Sequence, residues 1–170
     1  MPTGLAPLGT ADARLLILGT MPSVQSLQRQ QYYGHPQNAF WRLLFALWEE
    51  EWSPDYADRV AFVERHRLAV WDVLATCQRQ GSADAAITDA IANDFVPFAQ
   101  QHPQLRAVAF NSVGAARFYD RLVRPDPFAA LPKVTLPSSS PARAMKFSEK
   151  FAAWQPLKSA WDVAIQEKEW

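Results

Sequence analysis

Long hydrophobic segments are absent from this sequence of 170 residues. No stretch approaches the roughly 18 consecutive apolar residues that a membrane-spanning helix needs. The first residues contain neither a basic leader nor a hydrophobic core of signal-peptide length. We therefore expect a cytoplasmic protein that does not contact a membrane.

Cysteine is almost absent as well, since Cys77 is the single cysteine of the chain. One thiol cannot form an internal disulfide, and without companions it cannot hold a structural zinc or an iron–sulfur cluster. The sequence also lacks the glycine-rich nucleotide-binding patterns, the HExxH zinc pattern and the GxSxG nucleophile pattern. We predict no metal site and no cofactor.

An excess of charge of one sign is also missing, because 17 basic residues balance 17 acidic ones. A protein that wraps a long polyanion needs a Lys or Arg for each phosphate contact, so this balance favours at most a small nucleic-acid footprint. The charges are unevenly placed. Residues 1–99 hold seven basic and eleven acidic side chains, whereas residues 100–170 hold ten and six. The C-terminal part is the better candidate for a surface that faces phosphates.

Four short apolar runs predict β-strands, at residues 14–20, 68–74, 105–111 and 133–136. Helical patterns occupy the intervals, at residues 38–50, 56–66, 112–123 and 147–165, with short helices in the alanine-rich segment 82–101. Pro156 is expected to kink or split the last helix, because it removes one backbone donor.

Strands that alternate with helices indicate an α/β fold. We predict a single domain over residues 1–170, built as a three-layer sandwich in which helices flank a central, mainly parallel four-stranded sheet. In such folds the ligand site lies beyond the carboxyl ends of the strands. Three loops follow strands in this way, at residues 20–38, 111–114 and 137–145.

These three loops share side chains that suit a planar, polar ring with a negatively charged backbone nearby. They hold uncharged hydrogen-bonding groups, aromatic rings and a few cations: Asn38, Asn111, Ser138, Ser139, Ser140, Tyr32, Tyr33, His35, Arg143 and, just beyond the third loop, Lys146.

Four motifs in these regions resemble one known family. GTMPS at residues 19–23 precedes YYGHPQNAFW at 32–41, VAFN at 108–111 and LPSSSPAR at 136–143. In this order they resemble the uracil-DNA glycosylase superfamily, and specifically its hypoxanthine-DNA (deoxyinosine) glycosylase branch. The resemblance extends from Arg14 to about Trp161. It implies the same fold and a damaged-DNA substrate whose target base is flipped out of the helix.

The resemblance also implies a base pocket. Its first motif supplies the pocket residues Gly19, Thr20, Met21 and Pro22. Met21 stands where other branches carry an Asn or Asp that positions the hydrolytic water, and a thioether cannot orient water usefully. The resemblance assigns that catalytic role to Asn38, stacking of the flipped base to Tyr33, and reading of a base edge to Asn111.

The last motif of the family is a loop that enters the minor groove and fills the gap left by the flipped nucleotide. Here it predicts DNA contacts by Ser138, Ser139, Ser140, Pro141, Ala142 and Arg143, with further contacts from His35 and Lys146. Several relatives begin this motif with His or Asn, but this chain has Leu136. A histidine's help to the departing base is therefore missing from this position.

The predicted activity is that of a monomeric, monofunctional DNA glycosylase in base excision repair. It would hydrolyse the N-glycosidic bond of hypoxanthine, or of uracil or xanthine, after flipping the base. An amide does not take up protons near neutrality, so Asn38 is expected to hold the water in place rather than deprotonate it. A lyase step is not expected, since Lys146 is the only lysine predicted near the site.

Other interpretations stay open on the sequence alone. Asn38 also fits a helix N-cap, a role compatible with catalysis because a cap uses only the side-chain oxygen. Tyr33 could simply cover the core. Asp72 is the one carboxylate near a predicted strand end that could replace Asn38 as water activator, or it could be structural. Met21 and Leu136 also fit a non-catalytic nucleic-acid or nucleotide-binding module on the same fold.

Overall fold

The computed structural model describes residues 2–166. Its strands are β1 (Leu15–Gly19), β2 (Leu68–Asp72), β3 (Leu74–Gln78), β4 (Thr88–Ala92), β5 (Ala107–Asn111) and β6 (Lys133–Leu136). Its helices are α1 (Val24–Arg29), α2 (Phe40–Leu47), α3 (Tyr56–Arg65), α4 (Phe95–Gln101), α5 (Val113–Leu122), α6 (Phe147–Ala153) and α7 (Gln155–Ala164). Within residues 2–166 no helix has the length and apolar character needed to span a bilayer.

The central sheet has four parallel strands in the order β2-β1-β5-β6, which confirms the predicted sheet. In the register of these pairs, Gly19 lies opposite Asp72 and Asn111 lies opposite Leu136. The carboxyl ends of all four strands therefore meet at one edge of the sheet. The loops predicted to carry the site emerge from this edge.

Side chains of β1 alternate between two hydrophobic layers, as expected for a parallel strand buried on both faces. Leu15 and Ile17 pack with α2 and with Trp154, whereas Leu16 and Leu18 pack against α4 and α5. All four are fully buried. The predicted three-layer sandwich is thereby confirmed.

The alanine-rich segment 82–101 differs from the prediction of short helices. Only α4 and a 3₁₀ turn at Asp84–Ala86 are helical there, and the residues between them form β4. β4 pairs antiparallel with β3, a strand that the sequence pattern did not indicate. Helix propensity is a weak preference that a tertiary partner overrides, and here β3 supplies the backbone hydrogen bonds that β4 needs.

Pro156 splits the C-terminal helix as predicted. α6 ends at Ala153 and α7 begins at Gln155, which places the proline in the first turn of α7, where its missing N–H is not needed. Trp154 lies at the break, and its indole N–H donates to the Pro137 carbonyl at 2.8 Å. The break thus attaches the C-terminal helices to the loop after β6.

Candidate active site

A cavity of about 640 Å³ opens at the carboxyl edge of the sheet, where the three predicted loops meet. This volume is in the range of small-molecule sites. The lining residues that the sequence predicted are Gly19, Thr20, Met21, Pro22, Tyr33, His35, Asn38, Asn111, Ser138, Ser139, Ser140, Pro141, Ala142 and Arg143. Lys146 does not line the cavity and instead precedes α6 as an exposed residue.

Tyr33 borders the cavity from a strained backbone position. Its φ of 53° lies in the left-handed region, which costs a residue other than glycine about 1 kcal/mol. The following residue, Gly34, is held by two bonds that stabilise the turn: its N–H donates to Ser26 Oγ at 3.0 Å, and its carbonyl accepts from Arg29 Nη1 at 2.9 Å. One face of the Tyr33 ring stacks on Phe40, with centroids 3.9 Å apart.

Asn38 lies two residues before α2 and lines the cavity. Its Oδ1 accepts the Phe40 N–H at 2.9 Å, and because Ala39 between them already has helical φ and ψ, the oxygen caps the helix as the sequence suggested. Because Phe40 N–H can only donate, the amide oxygen must face it and the NH₂ group must face away. Among residues 2–166 this NH₂ group has no hydrogen-bond partner, which leaves two donors available to the cavity.

The floor of the cavity is formed where Asp72 and Tyr33 approach Gly19. A Cβ atom at Gly19 would lie 2.6 Å from Asp72 Oδ1 and 2.7 Å from the Tyr33 hydroxyl. Both distances are far below a van der Waals contact. Only glycine therefore lets the carboxyl and the phenol converge at this point.

Asp72 is 4% exposed and lines the cavity. Burial, followed by repulsion from the Asp84 carboxylate, raises the pKa of Asp72 to about 7, against the opposing charge of Arg79. The same two kinds of cause, burial and then the charge of Asp72, raise the pKa of the Tyr33 hydroxyl well above its usual value. Near neutral pH the Tyr33 hydroxyl is therefore uncharged, and a substantial fraction of Asp72 carries a proton.

Asn111 connects β5 to the loop after β6. Its Nδ2 donates to Ser139 Oγ at 2.8 Å, and its Oδ1 accepts the Ser139 N–H at 2.9 Å. Ser139 is fully buried, and its carbonyl accepts the Ala39 N–H at 3.0 Å. Reading of a base edge by Asn111 stays a prediction, for which one N–H and one lone pair of its amide are left. Ser139 is buried at the base of the loop rather than at its tip.

Lys150 fixes the same loop from α6, and the sequence analysis did not single it out. The residue is 4% exposed, and its ammonium donates to the Ser140 carbonyl at 2.8 Å. Burial, and then the nearby charge of Arg143, lowers the pKa of Lys150. Lys150 thus contacts the loop more directly than Lys146, while Arg143 at the loop tip is exposed.

A further wall of the cavity comes from the β3–β4 hairpin. The hairpin residues that line the cavity are Ser82, Ala83, Asp84 and Ala85. The remaining lining residues, from other elements, are Ser23, Ser26, Tyr32, Asp72 and Ser112. The hairpin residues were missed because segment 82–101 was predicted to be helical. Arg79, also missed, has a side chain only 2% exposed that donates to the Pro22 carbonyl and so holds the first motif in place.

Two residues predicted as departures from the family behave as hydrophobic residues. Met21 is 7% exposed and packs in the core layer that contains α4 and α5. Leu136 is 1% exposed, packs in the layer that contains α2, and does not line the cavity. Neither supplies a polar group for chemistry.

Comparison with known proteins agrees with this geometry. The sequence profile of the Uracil DNA glycosylase superfamily matches residues 6–163, almost the whole described chain. The chain belongs to the uracil DNA glycosylase superfamily. The resemblance seen in the four motifs is thereby confirmed.

Two similar proteins are named hypoxanthine DNA glycosylase. The protein of Methanosarcina acetivorans is 36% identical over 147 residues, 86% of this chain and 90% of its own length. The protein of Methanosarcina barkeri is 33% identical over 152 residues, which cover 89% of this chain and 94% of its own length. A solution NMR structure of a candidate uracil DNA glycosylase from M. acetivorans superposes with a TM-score of 0.78 and 31% identity, covering 94% of this chain and 98% of that one.

Proposed function

We propose that this protein is a monofunctional DNA glycosylase that flips a deaminated base, hypoxanthine above all, into the cavity and hydrolyses its N-glycosidic bond in base excision repair. One observation carries the proposal: Asn38, whose NH₂ has no hydrogen-bond partner within residues 2–166, and Tyr33 line the same cavity at the carboxyl edge of the sheet. The names of the two relatives support hypoxanthine as the substrate.

The flipped base would stack on the face of Tyr33 that is turned away from Phe40. The stack of Tyr33 on Phe40 makes this platform rigid, because two packed aromatic rings resist rotation. Flipping costs a few kcal/mol and costs least for a damaged or mispaired base. A preformed platform therefore favours bases that already leave the helix easily.

Asn38 would hold the attacking water by donating to its oxygen. The Asn38 oxygen already accepts the Phe40 N–H, and an amide oxygen is too weak a base to remove a proton from that water. Glycosidic cleavage builds positive charge on the sugar and negative charge on the leaving base. We infer that bond breaking runs ahead of water attack, so the reaction depends on a base that leaves well, as hypoxanthine does.

The loop at residues 137–145 would enter the minor groove and occupy the gap left by the flipped nucleotide. Contacts from Asn111, Lys150 and Trp154 fix its base, and the tip with Arg143 is exposed. A loop ordered before binding loses less conformational entropy on insertion. A small footprint of this kind agrees with a net charge of zero.

We further propose that the protein acts as a monomer in the cytoplasm, and a cavity that one chain can form is compatible with this. Size-exclusion chromatography with light scattering measures the oligomeric state. A dimer that dissociates only with loss of activity would contradict the proposal.

The deciding experiment uses duplex oligonucleotides that contain one deoxyinosine, deoxyuridine or deoxyxanthosine, incubated with excess protein and then treated with alkali. We expect strand breakage at deoxyinosine, and none before alkali because the enzyme lacks a lyase step. Binding without breakage at any of the three bases would instead support a non-catalytic module on this fold.

A further inference from the structure

Unpaired polar atoms converge on the floor of the cavity. Of the five buried side-chain atoms that lack a hydrogen-bond partner within residues 2–166, three belong to cavity residues: Thr20 Oγ1, Tyr33 Oη and Asp72 Oδ2. Asn111 near the Tyr33 hydroxyl and Asp84 near the Thr20 hydroxyl act as weak hydrogen-bonding neighbours, although neither pair has ideal geometry. Asp72 has no such neighbour, and an unpaired buried polar group costs about 1–3 kcal/mol.

Asp72 is the strongest of these groups. Within the described chain no cation pairs with it. The guanidinium of Arg79 donates to the Pro22 carbonyl and lies 3.9 Å from the Asp84 carboxylate, while Asp72 makes no ion pair. A carboxylate that is 4% exposed and makes no ion pair is poorly solvated, which disfavours its ionised form relative to its neutral form.

The charged groups near Asp72 act on its pKa in opposite directions, and Asp84 has the larger effect. Tyr33 contributes a hydroxyl that carries no charge near neutral pH, and Asp84 contributes a negative charge. Arg79 is the opposing positive charge, and its effect on Asp72 is the smallest of the causes. Near pH 7 a large fraction of Asp72 is therefore a neutral carboxylic acid, which has an O–H donor that a carboxylate does not.

We propose that Asp72 is a specificity-determining residue that donates a hydrogen bond, as the neutral acid, to the polar edge of the flipped base. The proposal rests on the proposed function. Deamination replaces an amino group, which donates, with a carbonyl oxygen, which accepts. A donor at this position pairs with hypoxanthine or uracil, whereas it faces another donor in adenine or cytosine.

The same proton assists the reaction. Negative charge accumulates on the base as the glycosidic bond breaks, and a neutral donor stabilises that charge while a carboxylate would repel it. Entry of the base expels water and raises the pKa of Asp72 further. The cleavage rate should therefore depend on pH. The enzyme is active while Asp72 is protonated, below about pH 7 in the free enzyme, and loses activity as the pH rises through the pKa of Asp72.

Asp72→Asn tests this assignment, because asparagine has the shape of the neutral acid, keeps an N–H donor and cannot ionise. Single-turnover cleavage of the deoxyinosine duplex is followed from about pH 5 to about pH 9. We expect the wild-type rate to fall by up to about tenfold per pH unit on the alkaline side, and that of D72N to stay level. Asp72→Leu, which removes the donor, is expected to lose about 100-fold at every pH.

Asp84→Asn provides a second readout that a purely structural role would not move. Removing the Asp84 charge lowers the pKa of Asp72, so the alkaline fall of the rate is expected at lower pH than in the wild type. This variant keeps Asp72 itself unchanged. It therefore tests the proposal even if D72N folds poorly, which thermal unfolding would reveal.

Three results would overturn the assignment. An inactive D72N beside a wild-type rate that rises with pH would make Asp72 an ionised water activator. An alkaline fall that persists in D72N would belong to another group. A D72L enzyme as fast as the wild type would leave Asp72 without a role in turnover. Failure of the wild type to cleave any deaminated base would instead refute the proposed function.

Discussion

Asn38 has two roles, as a helix cap and as the proposed donor that holds the water, and substitutions can separate them. Asn38→Ala removes the 2.9 Å bond to the Phe40 N–H and the two unpartnered N–H donors of a residue that lines the cavity. Loss of the cap is expected to cost about 1 kcal/mol of unfolding free energy, which lowers the melting temperature by roughly 2–4 °C in a domain of this size. Loss of the water-holding donors is expected to reduce the single-turnover rate on deoxyinosine DNA by about 100-fold.

Asp55→Ala is the matched control. Asp55 caps α3 by accepting the Ala57 N–H at 3.0 Å, does not line the cavity, and is exposed. It should lose similar stability and keep full activity. Asn38→Asp keeps the capping oxygen but replaces the NH₂ donors with an acceptor, so it should retain stability and lose activity. An N38D enzyme as active as the wild type would refute the donor role, and an N38A enzyme slowed no more than D55A would refute any catalytic role for Asn38.

Gly19→Ala should leave the fold intact but displace Asp72 and Tyr33, since its Cβ would lie 2.6 and 2.7 Å from their oxygens, and the cleavage rate should fall by at least about tenfold. Arg143→Ala should weaken binding to duplex DNA and reduce the slope of log affinity against log salt concentration by about one, measured by fluorescence anisotropy. Lys150→Met should release the insertion loop, which raises KM more than it lowers kcat and increases hydrogen exchange at residues 137–145.

These predictions have controls in the same chain. Arg65→Ala removes an exposed arginine of α3, close to the amino end of β2 and thus at the edge of the sheet opposite the cavity, so the salt slope should not change. An equal slope for R143A and the wild type would remove Arg143 from the interface. A G19A enzyme at full rate would show that the floor can relax, and K150M with unchanged KM and exchange would show that the remaining contacts suffice to hold the loop.

Local patterns along the chain were enough to predict the parallel sheet and the three loops at its carboxyl edge. Apolar runs of strand length and amphipathic helical stripes identify elements because burial enforces the pattern within each element. The strand β4, within segment 82–101, was not predicted, for the opposite reason. β4 exists because β3 pairs with it, and a strand that depends on a distant partner leaves a weak signal in its own residues.

The sequence by itself determined the family, the sheet and the loop residues that surround the cavity, since each is encoded in a short motif or a local repeat. The tertiary structure alone decided what the side chains do there. Asn111 and Ser139 bind each other, Lys150 holds the loop, and Asp72 is buried without a counter-charge beside Tyr33. Burial and the distance between charges are properties of packed neighbours, and those neighbours lie tens of residues apart along the chain.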